Sequence, residues 1–250
     1  MGRILNVSTL VLLVGLMGSG LTAQTDAAQP AALPTIDQVL DKYTAGSGGR
    51  AALEKVTSFR ATGTIQIPDV GVGGSIELLQ KAPNKASTVV ELSGIGRQRD
   101  VFDGTIAWSE DPQNGVREKI GVELAEARRG ATFGRELKMK SMYKTLTVKG
   151  REKVGAREAF VVEGVPDEGS PIKLFFDVES GLLVQQSGSR TSPQGPIEVT
   201  VTFEDFRAID GVQRPFTIRQ ATSMFTAIIQ LTDITHNVPI DDVVFRKPGF

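Results

Sequence analysis

From Phe59 onward, most of the chain alternates apolar and polar residues with a period of two, in short runs broken by tight turn signals. This pattern allows little besides an antiparallel β protein. Successive side chains of a strand point to opposite faces, and parallel neighbours would need crossovers of a dozen or more residues. Phe59, Ala61, Gly63, Ile65 and Ile67 alternate with Arg60, Thr62, Thr64 and Gln66. The cleanest run sets Ile197, Val199, Val201 and Phe203 against Glu198, Thr200, Thr202 and Glu204. Between these lie further strand-like runs around Ile76, Ser87 to Leu92, Arg97 to Phe102, Trp108, Leu146, Ala159 to Glu163, Ile172 to Asp177 and Leu182 to Ser187. Phe216 with Ile218, and Phe225 to Leu231, close the series. Asp103-Gly104 is a two-residue hairpin signal. About ten or eleven strands are expected, and a sheet that long must curl or split.

Two segments depart from this rhythm. Thr35 and Gln38 have the spacing of a capping box, and Ile36, Val39, Leu40 and Tyr43 then recur at helical spacing. Gly46 to Gly49 stops that helix, and Arg50 to Val56 reads as a second short one. Residues 121–143 are rich in Ala, Glu, Leu, Lys, Met and Arg, with Gly130 and Gly134 dividing them into two short helices. These helical segments are the elements within the chain that could fill the concave face of a curled sheet.

The amino terminus has the layout of a cleaved secretory signal. Arg3 precedes an apolar run from Ile4 to Leu16, and Gly18, Ser19 and Gly20 lead to Ala23 as the last removed residue. The competing reading is an uncleaved anchor, for which the run is short against the roughly 20 residues of a bilayer span. Residues 24–33 then read as a disordered spacer, and 34–250 as a single domain. Removing 23 residues from 250 leaves 227, enough for one large core. Export to the periplasm is the expectation. With no cysteine in the chain, there is no lipidation site after the signal, no disulfide and no thiol nucleophile.

Composition argues against several functions. Without Arg3 there remain 27 basic and 29 acidic side chains, so nothing favours nucleic acid. His236 is the single histidine, which rules out a histidine metal cluster; it reads as a satisfied or solvated side chain. No Gly-x-Ser-x-Gly elbow and no phosphate-binding Gly-x-x-x-x-Gly-Lys loop occurs. Gly71 to Gly74 reads as a hairpin turn, and Asp241-Asp242 as a cap or turn. No catalytic residue, cofactor or metal is expected. One stretch is electrically distinct: nine basic residues lie between Arg128 and Lys153, opposed only by Glu136 and Glu152. They read either as a solvated face or as a basic rim that meets an anionic membrane or a membrane-bound partner. Met139 and Met142 lie in the same stretch.

Several stretches, in order, resemble the LolA/LolB-type lipoprotein carriers, the outer-membrane lipoprotein-sorting family. Gly48-Gly49-Arg50 with Leu53 and Val56 looks like the family's helical entry. Asp103-Gly104 through Trp108 is similar to its D-G-x-x-x-W hairpin. Phe176-Asp177 to Gly181-Leu182 is similar to its F-D-x-x-[TS]-G-L turn. Phe203, Phe206, Gly211-Val212 and Pro215, and then Asn237 to Phe245, resemble its late segments. The resemblance implies an unclosed β-barrel covered by helices, around a cavity that holds acyl chains.

The function expected is a non-covalent periplasmic carrier or binding protein for lipoproteins or other acylated, apolar cargo. It would act as a monomeric transport chaperone. The alternative is a non-catalytic sensor or protein-interaction module of the same fold. Alternation nominates Leu78, Trp108, Phe160, Leu174, Phe176, Val199, Val201, Phe203, Phe216, Ile218, Phe225, Ile229 and Leu231 as cavity lining. Arg128, Arg129, Arg135, Lys138 and Lys140 are the expected basic rim of a helical lid over residues 121–143, with a fixed helical plug as the competing reading.

Overall fold

The computed structural model describes residues 32–192 and 195–249; the expected signal segment lies outside them. Thirteen strands form one antiparallel sheet: β1 (Ser58–Ile67), β2 (Val72–Lys81), β3 (Lys85–Leu92), β4 (Gly96–Phe102), β5 (Ala107–Asp111), β6 (Gly115–Lys119), β7 (Thr145–Val154), β8 (Arg157–Val165), β9 (Ile172–Asp177), β10 (Leu183–Ser192), β11 (Gly195–Ile209), β12 (Val212–Ala221) and β13 (Thr226–His236). Their spatial order is β6-β5-β4-β3-β2-β1-β13-β12-β11-β10-β9-β8-β7. Sequence neighbours therefore pair as hairpins, and one long-range pairing, β1 with β13, joins the two halves. The outermost strands, β6 and β7, do not pair with each other, so this is an unclosed barrel.

The strand count exceeds the expected ten or eleven. The element with no sequence signal is β6, Gly-Val-Arg-Glu-Lys, which has one aliphatic residue and no apolar alternation. As an edge strand it has a single neighbour, and charged side chains on such an edge discourage pairing with another chain.

Four helices accompany the sheet: α1 (Ile36–Gly46), α2 (Arg50–Leu53), α3 (Gly121–Gly130) and α4 (Arg135–Lys138), the last continued by a 3₁₀ turn over Met139–Met142. The capping box at α1 is complete: the Gln38 N–H donates to Thr35 Oγ1 at 3.3 Å, and the Thr35 N–H donates to Gln38 Oε1 at 2.9 Å. The second helix is shorter than expected, and Val56 packs beyond its end. Between β6 and β7 the chain runs through α3 and α4, so the helical insertion links the two open edges of the barrel.

The first helix buries Val39, Leu40 and Tyr43 against Val162, Leu174, Phe176 and Leu183, on the concave face of β8–β10. Tyr43 meets Phe176 edge-on with ring centroids 5.1 Å apart. Gly46 permits the close seat: a Cβ there would lie 2.1 Å from the Ser180 carbonyl oxygen in the β9–β10 turn. Leu53 and Val56 pack with Phe133 and Val212. Strands β1, β2, β12 and β13 contribute Ala61, Ile76, Phe216, Leu231 and Ile234 to a central cluster.

The convex face is also apolar in places. Val101, Trp108 and Phe245 are fully buried together, and the Trp108 indole N–H donates to the Phe245 carbonyl at 3.2 Å. Trp108 was expected in the cavity but lies on the opposite face. The β4–β5 hairpin pairs Val101 with Trp108 and Phe102 with Ala107. Phe102 and Ala107 pack against Ala131 beside α3, so Trp108, one residue on, must point away from the concavity.

Candidate functional site

Three runs of inward residues surround a space on the concave face. On β2, Ile76 and Leu78 are followed in phase by Gln80; on β3, Leu92 and Val90 are followed by Thr88 and Ala86. On the other side Gln186, Val201, Gln220 and Ala227 stand directly opposite one another in a row across β10, β11, β12 and β13. The third helix spans these two walls. Its Leu124 and Ala127 pack toward Phe102 and Ala107, and its Glu126 carboxylate accepts from the Thr191 N–H at 3.3 Å.

Between helix and sheet lies a cleft of about 520 Å³, within the range of small-molecule sites. Its apolar lining includes Ala86, Phe102, Ala127, Ala131, Met142, Tyr143, Ile172, Ile197, Val199 and Val201. Its polar lining includes Gln80, Thr88, Gln186, Gln220, Glu126, Arg129, Arg135 and Arg190. Val199 and Val201 are buried, whereas Glu198, between Ile197 and Val199, is exposed. A polar residue in an otherwise apolar phase, as at Gln80, Thr88 and Gln220, was the sequence signal for this lining.

The nominated residues fall into separate places. Val199 and Val201 line the cleft. Leu174 and Phe176 are buried under α1, with Phe160 and Phe203 packed against the same cluster. Phe216 and Leu231 belong to the central cluster, flanked by Leu78, Ile218 and Ile229. Phe225 packs against Ile65, Leu92 and Ala227, as Ile229 does from its other side. Of the basic rim, Arg129 and Arg135 are half-buried and line the cleft, whereas Arg128, Lys138 and Lys140 are exposed.

The two parts of the insertion are held differently. No residue of α3 is buried. It is tied by polar contacts: Arg117 donates to Glu123 at 2.6 and 2.9 Å, and Arg129 donates to the Glu168 carbonyl at 3.3 Å. The following residues are anchored. Ala131, Phe133 and Met139 are buried. The Glu136 carboxylate accepts from Arg214 at 3.0 Å, with both side chains largely buried. Arg214 also donates from Nε to His236 Nε2 at 3.2 Å. This bond requires the imidazole proton on Nδ1, which lies 3.3 Å from Asp210 Oδ2. Burial and then the Arg214 charge hold the His236 pKa below its ordinary value. Lys140 pairs with Asp37 of α1.

Among the described residues no group of three or more metal-ligating side chains converges. Also among them, no helix is long and apolar enough to cross a membrane.

A thirteen-stranded unclosed barrel, its open edges linked by helices over a concave cleft, is a LolA-like fold. The likeness to solved structures is specific to that fold. A LolA superfamily protein from Nitrosomonas europaea superposes with a TM-score of 0.57 at 16% identity, covering 86% of this chain and 99% of that one. A DUF1329 family protein from Desulfovibrio piger gives 0.56 at 13% identity, covering 84% and 97%. An outer membrane lipoprotein-sorting protein domain from Vibrio parahaemolyticus gives 0.53 at 13% identity, covering 84% and 99%. No protein-family model and no curated protein sequence matches the chain.

Proposed function

We propose that the protein is an exported, periplasmic carrier for acylated cargo, which it sequesters without covalent chemistry in the cleft beneath α3. The observation that carries this reading is the cleft itself. It has an apolar wall built from Val199, Val201, Ile172 and Phe102, and its cover has no fully buried side chain. Each methylene moved from water onto such a wall contributes about 0.8 kcal/mol, so a long chain could be held tightly and still be released when α3 lifts. In this reading α3 is the lid and residues 131–143 its fixed base. Solved proteins of the same fold include a lipoprotein-sorting domain, and lipoprotein acyl chains are one such cargo.

A second reading, a sensor or interaction module, draws support from the other half of the barrel. There α1 packs its own apolar side chains onto the concave face. The two are separated by extracting the natively exported protein and identifying co-purified lipids by mass spectrometry. A stoichiometric acylated species lost in Val201→Trp supports the carrier. Lipid-free protein that also fails to bind added amphiphiles sinks it.

A further inference from the structure

Charge in the cleft is unevenly settled. Three carboxylates line it, those of Asp100, Glu123 and Glu126. Two are already matched: Asp100 pairs with Lys119, and Glu123 with Arg117. Glu126 is left with three guanidiniums on the same lining, Arg129, Arg135 and Arg190.

These three come from different elements. Arg129 is on α3, Arg135 opens α4, and Arg190 stands on β10 in phase with Gln186 and Gly188. All three share the cleft lining with Tyr143, and the Arg129 guanidinium lies 6.0 Å from the centre of its ring. Burial pushes the Tyr143 phenol up, while the charges of Arg135, Arg129 and Arg190 all oppose that shift.

Little else engages them. Arg129 and Arg135 each donate one long bond to a backbone carbonyl, at 3.3 and 3.4 Å. Among the described residues the Arg190 guanidinium has neither a hydrogen bond nor an ion pair. It is exposed and is one of the residues lining the cleft. Desolvation holds its pKa below the usual guanidinium value; Glu126 opposes this, while Arg135 and Arg129 reinforce it. Three cations gathered on one lining repel one another, and an anion that accepts from all three relieves the repulsion.

We infer that the cleft is a site for an amphiphilic anion, whose carboxylate or phosphate sits among Arg129, Arg135 and Arg190 while its acyl chain lies along Ile172, Val199 and Val201. This rests on the carrier reading and narrows its cargo to lipids with an anionic head.

The test measures binding of hexadecanoate, hexadecyl phosphate, hexadecanol and inorganic phosphate to the full exported chain by calorimetry. The proteins compared are wild type, Arg190→Gln, Arg129→Gln/Arg190→Gln and Arg128→Gln. Because Arg190 has no partner to orphan, its replacement should leave the melting temperature unchanged, which each variant is checked for. The inference expects both anionic amphiphiles to bind at least roughly tenfold more tightly than the alcohol, as charge-assisted hydrogen bonds imply. That preference should shrink several-fold in Arg190→Gln, vanish in the double variant and persist in the outward-facing Arg128→Gln. Equal affinity for alcohol and acid, or a preference that survives in the double variant, overturns the anion site and leaves the carrier reading standing. Arginine-dependent binding of inorganic phosphate with no amphiphile bound overturns the carrier and leaves an oxyanion site. No binding of any of the four overturns both.

Discussion

The first and third helices both lie on the concave face of one sheet, yet they meet it in opposite ways. The first buries Val39, Leu40 and Tyr43 against β8–β10. The third fully buries no side chain, half-buries Leu124 and Ala127, is held by Glu123, Glu126 and Arg129, and borders a cleft of about 520 Å³. One sheet thus offers two solutions to its own curvature. Where a helix supplies apolar bulk, the barrel is solid. Where the helix supplies only Leu124 and Ala127, a cleft remains beside it.

The sharpest way to break this comparison is to empty the solid half. Phe176→Ala removes the ring that Tyr43 packs against in a fully buried site and should cost about 3–5 kcal/mol. Chemical denaturation would measure it; a loss under about 1 kcal/mol would mean that the α1 half is as loosely filled as the other.

The next effect concerns the base of the insertion. Glu136→Gln leaves Arg214 without its carboxylate in a largely buried place. A fully buried pair broken this way costs roughly 3–5 kcal/mol; with some exposure remaining, about 2 kcal/mol is expected. Hydrogen exchange should rise across residues 131–143. If instead α3 alone responds, the division into fixed base and loose cover is misplaced.

Acid acts on the same anchor more weakly. His236 is buried, accepts from Arg214, and has its pKa held down by burial and by that arginine. The unfolded imidazole titrates near about 6.5 and so takes up its proton first. The stabilising contribution is therefore complete above that pH and is lost as pH falls through the lower folded value. Melting temperatures from pH 8 to pH 5 should drop more for wild type than for His236→Gln; parallel curves would remove His236 from the anchor.

Gly130→Ala tests the cover. Gly130 is helical, and a Cβ there meets nothing within 4 Å, so the change should stabilise α3 by about 0.5–1 kcal/mol. In the carrier reading it also slows cargo exchange, measurable by stopped-flow release of a fluorescent fatty acid. Gly134 is not equivalent: its φ of +67° is a left-handed cap that alanine would strain. The smallest effect belongs to Lys140→Gln. Its pair with Asp37 is more than half exposed on both sides, and such pairs contribute about 0–1 kcal/mol. A larger loss would mean that α1 and the insertion fold as one unit.

Much of the architecture was legible from local pattern. Period-two runs, the Asp103-Gly104 hairpin and the Thr35–Gln38 box each depend on residues a few positions apart, and local sterics and hydrogen bonding act at that range. Strand β6 escaped because an edge needs no apolar face. Trp108 was misplaced for a related reason: alternation says that neighbours face opposite ways, but not which face is inside. Here the carboxyl-terminal residues around Phe245 make the convex side of β4 and β5 a second interior.

The sequence by itself determined an antiparallel, helix-covered sheet and a basic segment at residues 128–153. Tertiary structure alone decided which part of that sheet α1 fills, and that Arg129, Arg135 and Arg190 line the same cleft as Tyr143. Arg190 lies far along the chain from the other two and joins them because β10 runs beneath the helices that link the barrel's open edges. That meeting depends on how the whole sheet curls, a property of all its strands together and of no short stretch of the chain.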